Sequence, residues 1–497
     1  MPQPAGWCYL PPVLALSLPS VLLGSALAFD AAEALGEQDL RRDGQAHTLG
    51  GSDRSSLWYA QALGQPSSPW LGVAYAPEWI LAERPRAPLD VLVVMRGGGL
   101  ASVGDGQTWG LEGDGEEGLV SARGLAEVQA HTGWFEASVR AVARGDVGAS
   151  PPVDVVVPRY SVGLRRGQSR LVFAQEPRKL GPARHGGLML WDDAWNFPAG
   201  AGTLQHRFER IGVLRVETGV GWLQRPRADV EDPGLLWMDL RWAPLPWLEI
   251  GASRVSLFGG QGRPLPSVGQ LFLPLDPHVV DDPDRELPDQ DEIAAVDLRV
   301  LVPLPQPLDY LELYTQYGGD DMIMRSIGPI PTPSLAGIAN LAGAELSSGA
   351  WLLGVEWARL QDDTFRWYTA HRVYHEGFTQ EGRFLGHPAG GDTETWWARV
   401  RWLPEPYGVQ LQAETSERVG VVEVVGDTVI ALESREITRR IGISGVLLRP
   451  EGGSLAAGYE FGHVEARDFV PGADGFEHRL YVTISGAPWV IYGNDPE

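Results

Sequence analysis

The sequence predicts an all-β fold, a transmembrane antiparallel β-barrel in preference to a soluble sandwich or propeller. Three observations predict it: a secretory start, no later apolar run long enough for a membrane helix, and short alternating windows rich in aromatic residues. Length decides nothing, because 497 residues could hold two or three ordinary domains or one large closed architecture.

The start comes first. Residues 1–28 contain no Asp, Glu, Lys or Arg, and Val13 to Ala28 reads VLALSLPSVLLGSALA, ending in the small-x-small pattern of a signal-peptidase site. The n-region lacks its usual basic residue, but the run is too short for an anchor and no stop-transfer charges follow. A signal peptide over 1–28 is therefore expected, cleaved after Ala28. The one cysteine, Cys8, lies within it, so the mature chain would have no disulfide, no cysteine-bound zinc and no thiol nucleophile.

Beyond Ala28 nothing approaches 18 consecutive apolar residues, the length of a membrane helix candidate. What recurs is a period of two. In DYLELYTQYG, Leu311, Leu313 and Tyr317 share one face and Glu312 and Gln316 the other; in LLWMDLRWAP, Leu236, Met238, Leu240 and Trp242 oppose Asp239 and Arg241. HRLYVTISG sets Leu480, Val482 and Ile484 against Arg479, Tyr481 and Thr483. A sandwich would bury the apolar face in a core, whereas a membrane barrel would turn it to lipid and the charged face to a polar lumen. The barrel also accounts for 19 tryptophans and 13 tyrosines as interfacial girdles, with Trp396-Trp397 and Trp402 placed there.

Residues 29–96 read differently. FDAAEALGEQDLRR and SSLWYAQALG are more helical than alternating, with Ser52 or Asp53 as caps, and predict a small N-terminal helical portion at or inside the periplasmic mouth, followed within 29–96 by the first approach to the barrel. The barrel is expected over 97–497. Among the breaks between strands, DPHVVDDPDRELPDQDE, Asp276 to Glu292, carries eight acids in seventeen residues. A solvated, self-repelling loop is the first reading and a calcium or lipopolysaccharide-bridging cation site the second, although the spacing matches no EF-hand.

The formal net charge is −24, with one lysine, Lys179, among 40 basic residues, which argues against nucleic acid as a partner. HRVYHEGFTQEGRFLGHPAGGDTETWWARVRW, His371 to Trp402, gathers three histidines, acids and aromatics in one stretch. The pair His371 and His375 lacks the H-E-x-x-H pattern and a helical setting, and on a strand the two would stand roughly 13 Å apart. Hydrogen-bonded or rim histidines are expected in a Gly-punctuated wall segment, with no metal and no cofactor. Ser444 and Ser485 lack a nucleophile-elbow context, and no carboxylate pair is marked for glycosidase work, so no enzyme is expected.

The same segment carries a resemblance. YHEGFTQEGRFLGHPAGGD is similar to the signature of the capsule assembly Wzi family at Tyr374, His375, Gly377, Phe378, Gly382, Arg383, Gly386, His387, Gly391 and Asp392. EPRKLGPARHGGLMLWDDAWNFP resembles an earlier family region at Gly181, Pro182, Gly187, Leu188, Leu190 and Pro198. Ala183, Gln380, Phe378 and Trp191-Asp192-Asp193 depart from the family pattern. The resemblance implies a barrel of about eighteen strands with a periplasmic helical portion, in the bacterial outer membrane, acting as a lectin-like protein in capsular polysaccharide attachment or organisation. It makes Tyr374, His375, Arg383, His387 and Asp392 candidates for polysaccharide binding or for a lumenal network. Implied partners are capsular or other surface polysaccharide, outer-membrane lipid and lipopolysaccharide, and the barrel-assembly machinery. A porin or solute transporter is the alternative, and a glycan-acting surface enzyme ranks last.

Overall fold

The computed structural model describes residues 92–492 apart from segments 106–119, 132–133, 147–152, 167–168, 192–195, 225–226, 273–289, 321, 328–329, 336, 361–366, 370, 372, 381, 405–406, 426–427, 449–453 and 486–488. The expected signal peptide and residues 29–91 of the expected helical portion lie outside the described residues.

Eighteen wall strands follow one another: β1 (Leu92–Asp105), β2 (Val120–His131), β3 (Phe135–Asp146), β4 (Val153–Arg166), β5 (Ser169–Gln175), β6 (Pro198–Phe208), β7 (Gly212–Trp222), β8 (Gly234–Leu245), β9 (Leu248–Phe258), β10 (Gln290–Pro303), β11 (Tyr310–Asp320), β12 (Ile338–Ser348), β13 (Trp351–Arg359), β14 (Thr393–Trp402), β15 (Tyr407–Val425), β16 (Thr428–Leu448), β17 (Ser454–Glu465) and β18 (Gly475–Ser485). Each pairs antiparallel with its sequence neighbours. β1 also pairs with β18, Gly98 against Ser485 through Asp105 against His478, which closes the ring of described strands. The nineteenth segment of the sheet, Trp489–Tyr492, prolongs β18 beside β1.

The period of two now acquires a direction. Leu240, Ile250, Val296, Leu298, Leu313, Leu353, Val355, Ile441, Ile443, Leu480 and Val482 are exposed, whereas Asp239, Arg241, Glu249, Asp297, Arg299, Glu312, Glu345, Glu356 and Arg399 on the opposite face are buried. A water-soluble fold does the reverse, and contiguous apolar surface on this scale needs lipid. Inside, charges are paired within and between strands: Arg299 with Glu312 of the neighbouring strand at 3.0 Å, Arg399 with Glu345 two strands away at 2.9 Å, and Arg241 with Asp239 of its own strand at 2.8 Å and also with Asp297 two strands away. Pairing offsets the cost of burying each ion, and a one-residue slip would turn these charges to lipid, so the pairs fix register.

Two aromatic girdles flank the apolar band. Trp134, Trp242, Trp247, Trp351, Trp402 and Tyr407 stand exposed at the rim of short turns such as Pro246-Trp247 and Gly349-Ala350, the periplasmic rim by its turn lengths. Trp222, Trp396 and Tyr317 stand exposed toward the other rim. Trp397 leaves the girdle assigned to it: adjacent strand residues face opposite ways, and it lies buried in the lumen.

β1 begins at Leu92, so residues 92–96, the barrel approach that ends the 29–96 portion, are wall strand. Two other readings change. Gln290, Asp291 and Glu292, read as the end of an acidic loop, open β10, where backbone pairing to β9 overrides local charge; the rest of that stretch, 276–289, lies outside the described residues. Finally, His371 to Gly391 is not wall. β14 starts only at Thr393, and the glycine-rich stretch before it folds into the barrel mouth around a two-residue hairpin, Thr379-Gln380 against Arg383-Phe384.

Candidate functional site

Long connections enter the lumen from the rim opposite the short turns. The first, 176–191 between β5 and β6, crosses to the far wall. There the Glu356 carboxylate of β13 accepts the backbone N–H groups of Arg184 (2.7 Å), His185 (3.1 Å) and Gly186 (3.1 Å), and the Tyr314 hydroxyl (2.8 Å). Gln316 accepts the Leu188 amide at 3.1 Å, and the Arg184 guanidinium donates to Glu312 at 2.8 Å. Glycines and a proline leave this segment without secondary structure of its own, so its backbone donors need wall acceptors. On the near wall the Arg178 guanidinium sits 4.4 Å over the Trp237 ring, and within the segment Lys179 lies 4.0 Å over Trp191.

The second inward segment, 367–391 between β13 and β14, packs on the first. The Tyr368 hydroxyl donates to the Leu188 carbonyl at 2.9 Å and accepts the His387 amide at 2.8 Å, while the Trp191 amide donates to the Leu385 carbonyl at 2.6 Å. Leu188, Met189, Trp367, Tyr368, Phe378 and Leu385 form one apolar core with inward wall residues such as Trp237, Val255 and Leu341. A third connection clamps the second. Arg227 donates to the Thr379 carbonyl at 2.8 Å and the Gly377 carbonyl at 2.9 Å while bound to Asp229. Burial alone would raise the Asp229 carboxyl, but hydrogen bonds from Arg227 and the amides of Val230 and Glu376 hold it below the usual carboxylate range.

The five residues singled out by the resemblance do not converge on one constellation. Tyr374 is wholly buried and donates its hydroxyl to the Gly259 carbonyl at 2.9 Å. His387 is wholly buried, with its ring 5.8 Å from His185, whose own ring stacks at 4.9 Å on Trp397 and whose Nε2 lies 3.6 Å from Glu414. His375 is exposed, and Arg383 and Asp392 are half-buried. Asp392 has φ 57 and donates its amide to the Leu360 carbonyl at 3.2 Å where the segment rejoins the wall. His371 accepts the amides of Val373 and Tyr374 on Nδ1 at 3.1 and 3.2 Å, the hydrogen-bonded histidine expected of it. Among the described residues no group of three or more His, Cys, Asp or Glu is gathered to hold a metal ion.

Glu356, Gln316, Arg227 and Asp229 were not singled out in the sequence. Their partners lie some 130 to 170 residues away, and the only sequence sign was an inward parity that Glu356 shares with every lumenal residue.

Burial and the neighbouring His185 push the His387 imidazole down to about 3. An unfolded histidine titrates near 6.5, so below that pH the unfolded segment takes up a proton that the folded one refuses. The contribution is present above about 6.5 and lost as pH falls toward 3, by up to about 1.4 kcal/mol per unit. The thermal midpoint of the chain is therefore expected to fall between pH 7 and 4.5, and His387→Gln to flatten that slope. An equal slope in the variant would assign the effect elsewhere.

A closed antiparallel ring of described strands, apolar outside and charged within, with two of its connections packed inside the mouth, defines a bacterial outer-membrane β-barrel. The family model for capsule assembly protein Wzi matches residues 160–474, a span that contains both inward segments. The chain belongs to that family. Wzi of Escherichia coli, an outer membrane protein involved in group 1 capsule assembly and a carbohydrate-binding β-barrel, superposes with a TM-score of 0.64 at 16% identity, over 94% of this chain and 99% of that one. OccD3 (OpdP) of Pseudomonas aeruginosa reaches 0.48 at 12% identity, over 81% of this chain and 91% of that one. OccK2 (OpdF) of the same organism reaches 0.48 at 12% identity, over 81% and 99%. No curated protein sequence matches the chain.

Proposed function

We propose that the chain is a non-enzymatic outer-membrane protein that attaches or organises surface polysaccharide, capsular polysaccharide above all. Membership of the capsule assembly family across 160–474 carries the reading. The channel alternative is disfavoured because apolar packing and hydrogen bonds fix two connections inside the described mouth. Of the five candidates, Tyr374 and His387 are spent on internal packing. His375 and Arg383 retain accessible surface and are the sugar-facing pair, with the guanidinium suited to hydroxyls or a uronic carboxylate. The N-terminal portion, 29–91, is taken as periplasmic.

Deleting the gene in its encapsulated source strain is expected to shift capsule from the cell-bound to the released fraction, with the wild-type gene restoring it. A gene carrying His375→Ala and Arg383→Ala is expected to restore it only partly. Unchanged cell-bound capsule in a deletion strain whose parent makes the protein would overturn the role. Full restoration by the double variant would remove only the residue assignment.

A further inference from the structure

Among the described residues the period of two breaks on the outer wall at the upper ends of β8 and β9. Along β9 the outward set is Leu248, Ile250, Ala252, Arg254, Ser256 and Phe258. Ile250 and Ala252 are exposed, as lipid-facing positions are, but Arg254 (9%), Ser256 (0%) and Phe258 (6%) are buried, and so is Leu236 (1%) on the outward face of β8. The wall alone cannot cover its own outer face. The chain that leaves β9 supplies cover: the outward Arg254 guanidinium donates to the Leu271 carbonyl at 2.8 Å, and a salt bridge ties it to the outward Glu292 of β10. Residues 259–272 therefore run across the outside of β8–β10, ending in the short helix Val268–Phe272.

This strap presents apolar side chains away from the wall. Leu265 is 74% exposed and Val268 73%, the highest values among the large apolar side chains described. Its level is set by β9. Ten residues at about 3.3 Å, tilted by about 40°, put Phe258 about 25 Å above Leu248, the height of a lipid-facing band. The strap thus lies where acyl chains give way to head groups, directly above Leu240, Ile250, Val296 and Leu298 of the apolar band.

We propose that residues 259–272 are an interfacial anchor in which Leu265 and Val268 enter the acyl boundary of the outer leaflet, the partner being the lipid surface itself. Such an element extends the apolar band outward on one side, and its insertion follows the rule for amphipathic segments that lie in the interface plane. Beneath it the buried Arg254 guanidinium, held by the half-buried Glu292, ties the strap to the wall through the Leu271 carbonyl.

The test uses the full chain carrying Cys8→Ser, folded into phosphatidylcholine bilayers, with a nitroxide attached through Val268→Cys or Leu265→Cys. Ile250→Cys serves as a mid-band reference and Glu209→Cys, in the exposed turn after β6, as an aqueous one. A heat-modifiable gel band confirms that each variant is folded. The ratio of collision with membrane-dissolved oxygen to collision with a water-soluble nickel chelate is expected to exceed the aqueous reference by at least about threefold at both strap positions and to fall short of Ile250. A ratio equal to that at Glu209 overturns the proposal. So does dipolar broadening that vanishes on dilution with unlabelled chain, since that assigns the patch to a contact between copies.

Discussion

Replacing Glu356 with alanine is expected to release the first inward segment and to lower stability by about 3–5 kcal/mol, the usual consequence of removing one member of a buried polar set. This carboxylate satisfies three successive backbone amides, from Arg184 to Gly186, together with the Tyr314 hydroxyl. Alanine leaves all four buried donors without their acceptor, and each unpaired group carries its desolvation cost. Glu356→Gln keeps one carbonyl oxygen but aims an amide NH2 at donors, so an intermediate loss is expected. The denaturation midpoint measures the effect, and planar-bilayer conductance gives a second readout. The wild-type chain should stay at leak level, whereas Glu356→Ala should show intermittent openings as residues 176–191 leave the mouth. Alanine at this position with an unchanged midpoint would show that the segment is held elsewhere.

Gly377→Ala is expected to cost at least about 3 kcal/mol and to free the second segment. Gly377 has φ 61, a backbone region that penalises a side chain, and a Cβ there would lie 1.5 Å from the Tyr368 carbonyl oxygen. The collision is with backbone, and that same carbonyl accepts the Phe378 amide at 3.0 Å, so it has nowhere to retreat. Gly382 separates the two effects: its φ is 73, yet nothing lies within 4 Å of the added carbon. Gly382→Ala should therefore cost only about 1 kcal/mol, the conformational part alone. Trypsin cleavage after Arg383 reports release, rapid in Gly377→Ala and slow in Gly382→Ala. Equal rates would show that the clamp from Arg227 to the Gly377 carbonyl does not hold this segment.

The wall was legible because its rules are local. DYLELYTQYG and LLWMDLRWAP each state which residues share a face, and β11 and β8 follow those faces residue for residue. The glycine-rich stretch was not. His371 to Gly391 has the turn residues of a connection and the aromatics of a strand, and only contact with 176–191 and Arg227 shows that it is packed inside the mouth. Trp396 and Trp397 make the same point at smaller scale. Composition marks both as girdle residues, while pleating sends one to lipid and the other onto His185.

By itself the sequence determined a membrane wall of paired strands, because alternation and the absence of an apolar helix depend only on neighbouring residues and on the bilayer as solvent. The two family stretches were visible there as well, so membership could be read before any contact was known. Only the tertiary structure decided how Glu356, Gln316 and Arg227 tie the connections into the lumen, and which candidates stay accessible. Those outcomes rest on contacts between residues more than a hundred positions apart. Tyr374 and His387 are withdrawn into packing while His375 stays exposed and Arg383 half-buried, because buried donors and acceptors must find partners wherever the closed ring brings them.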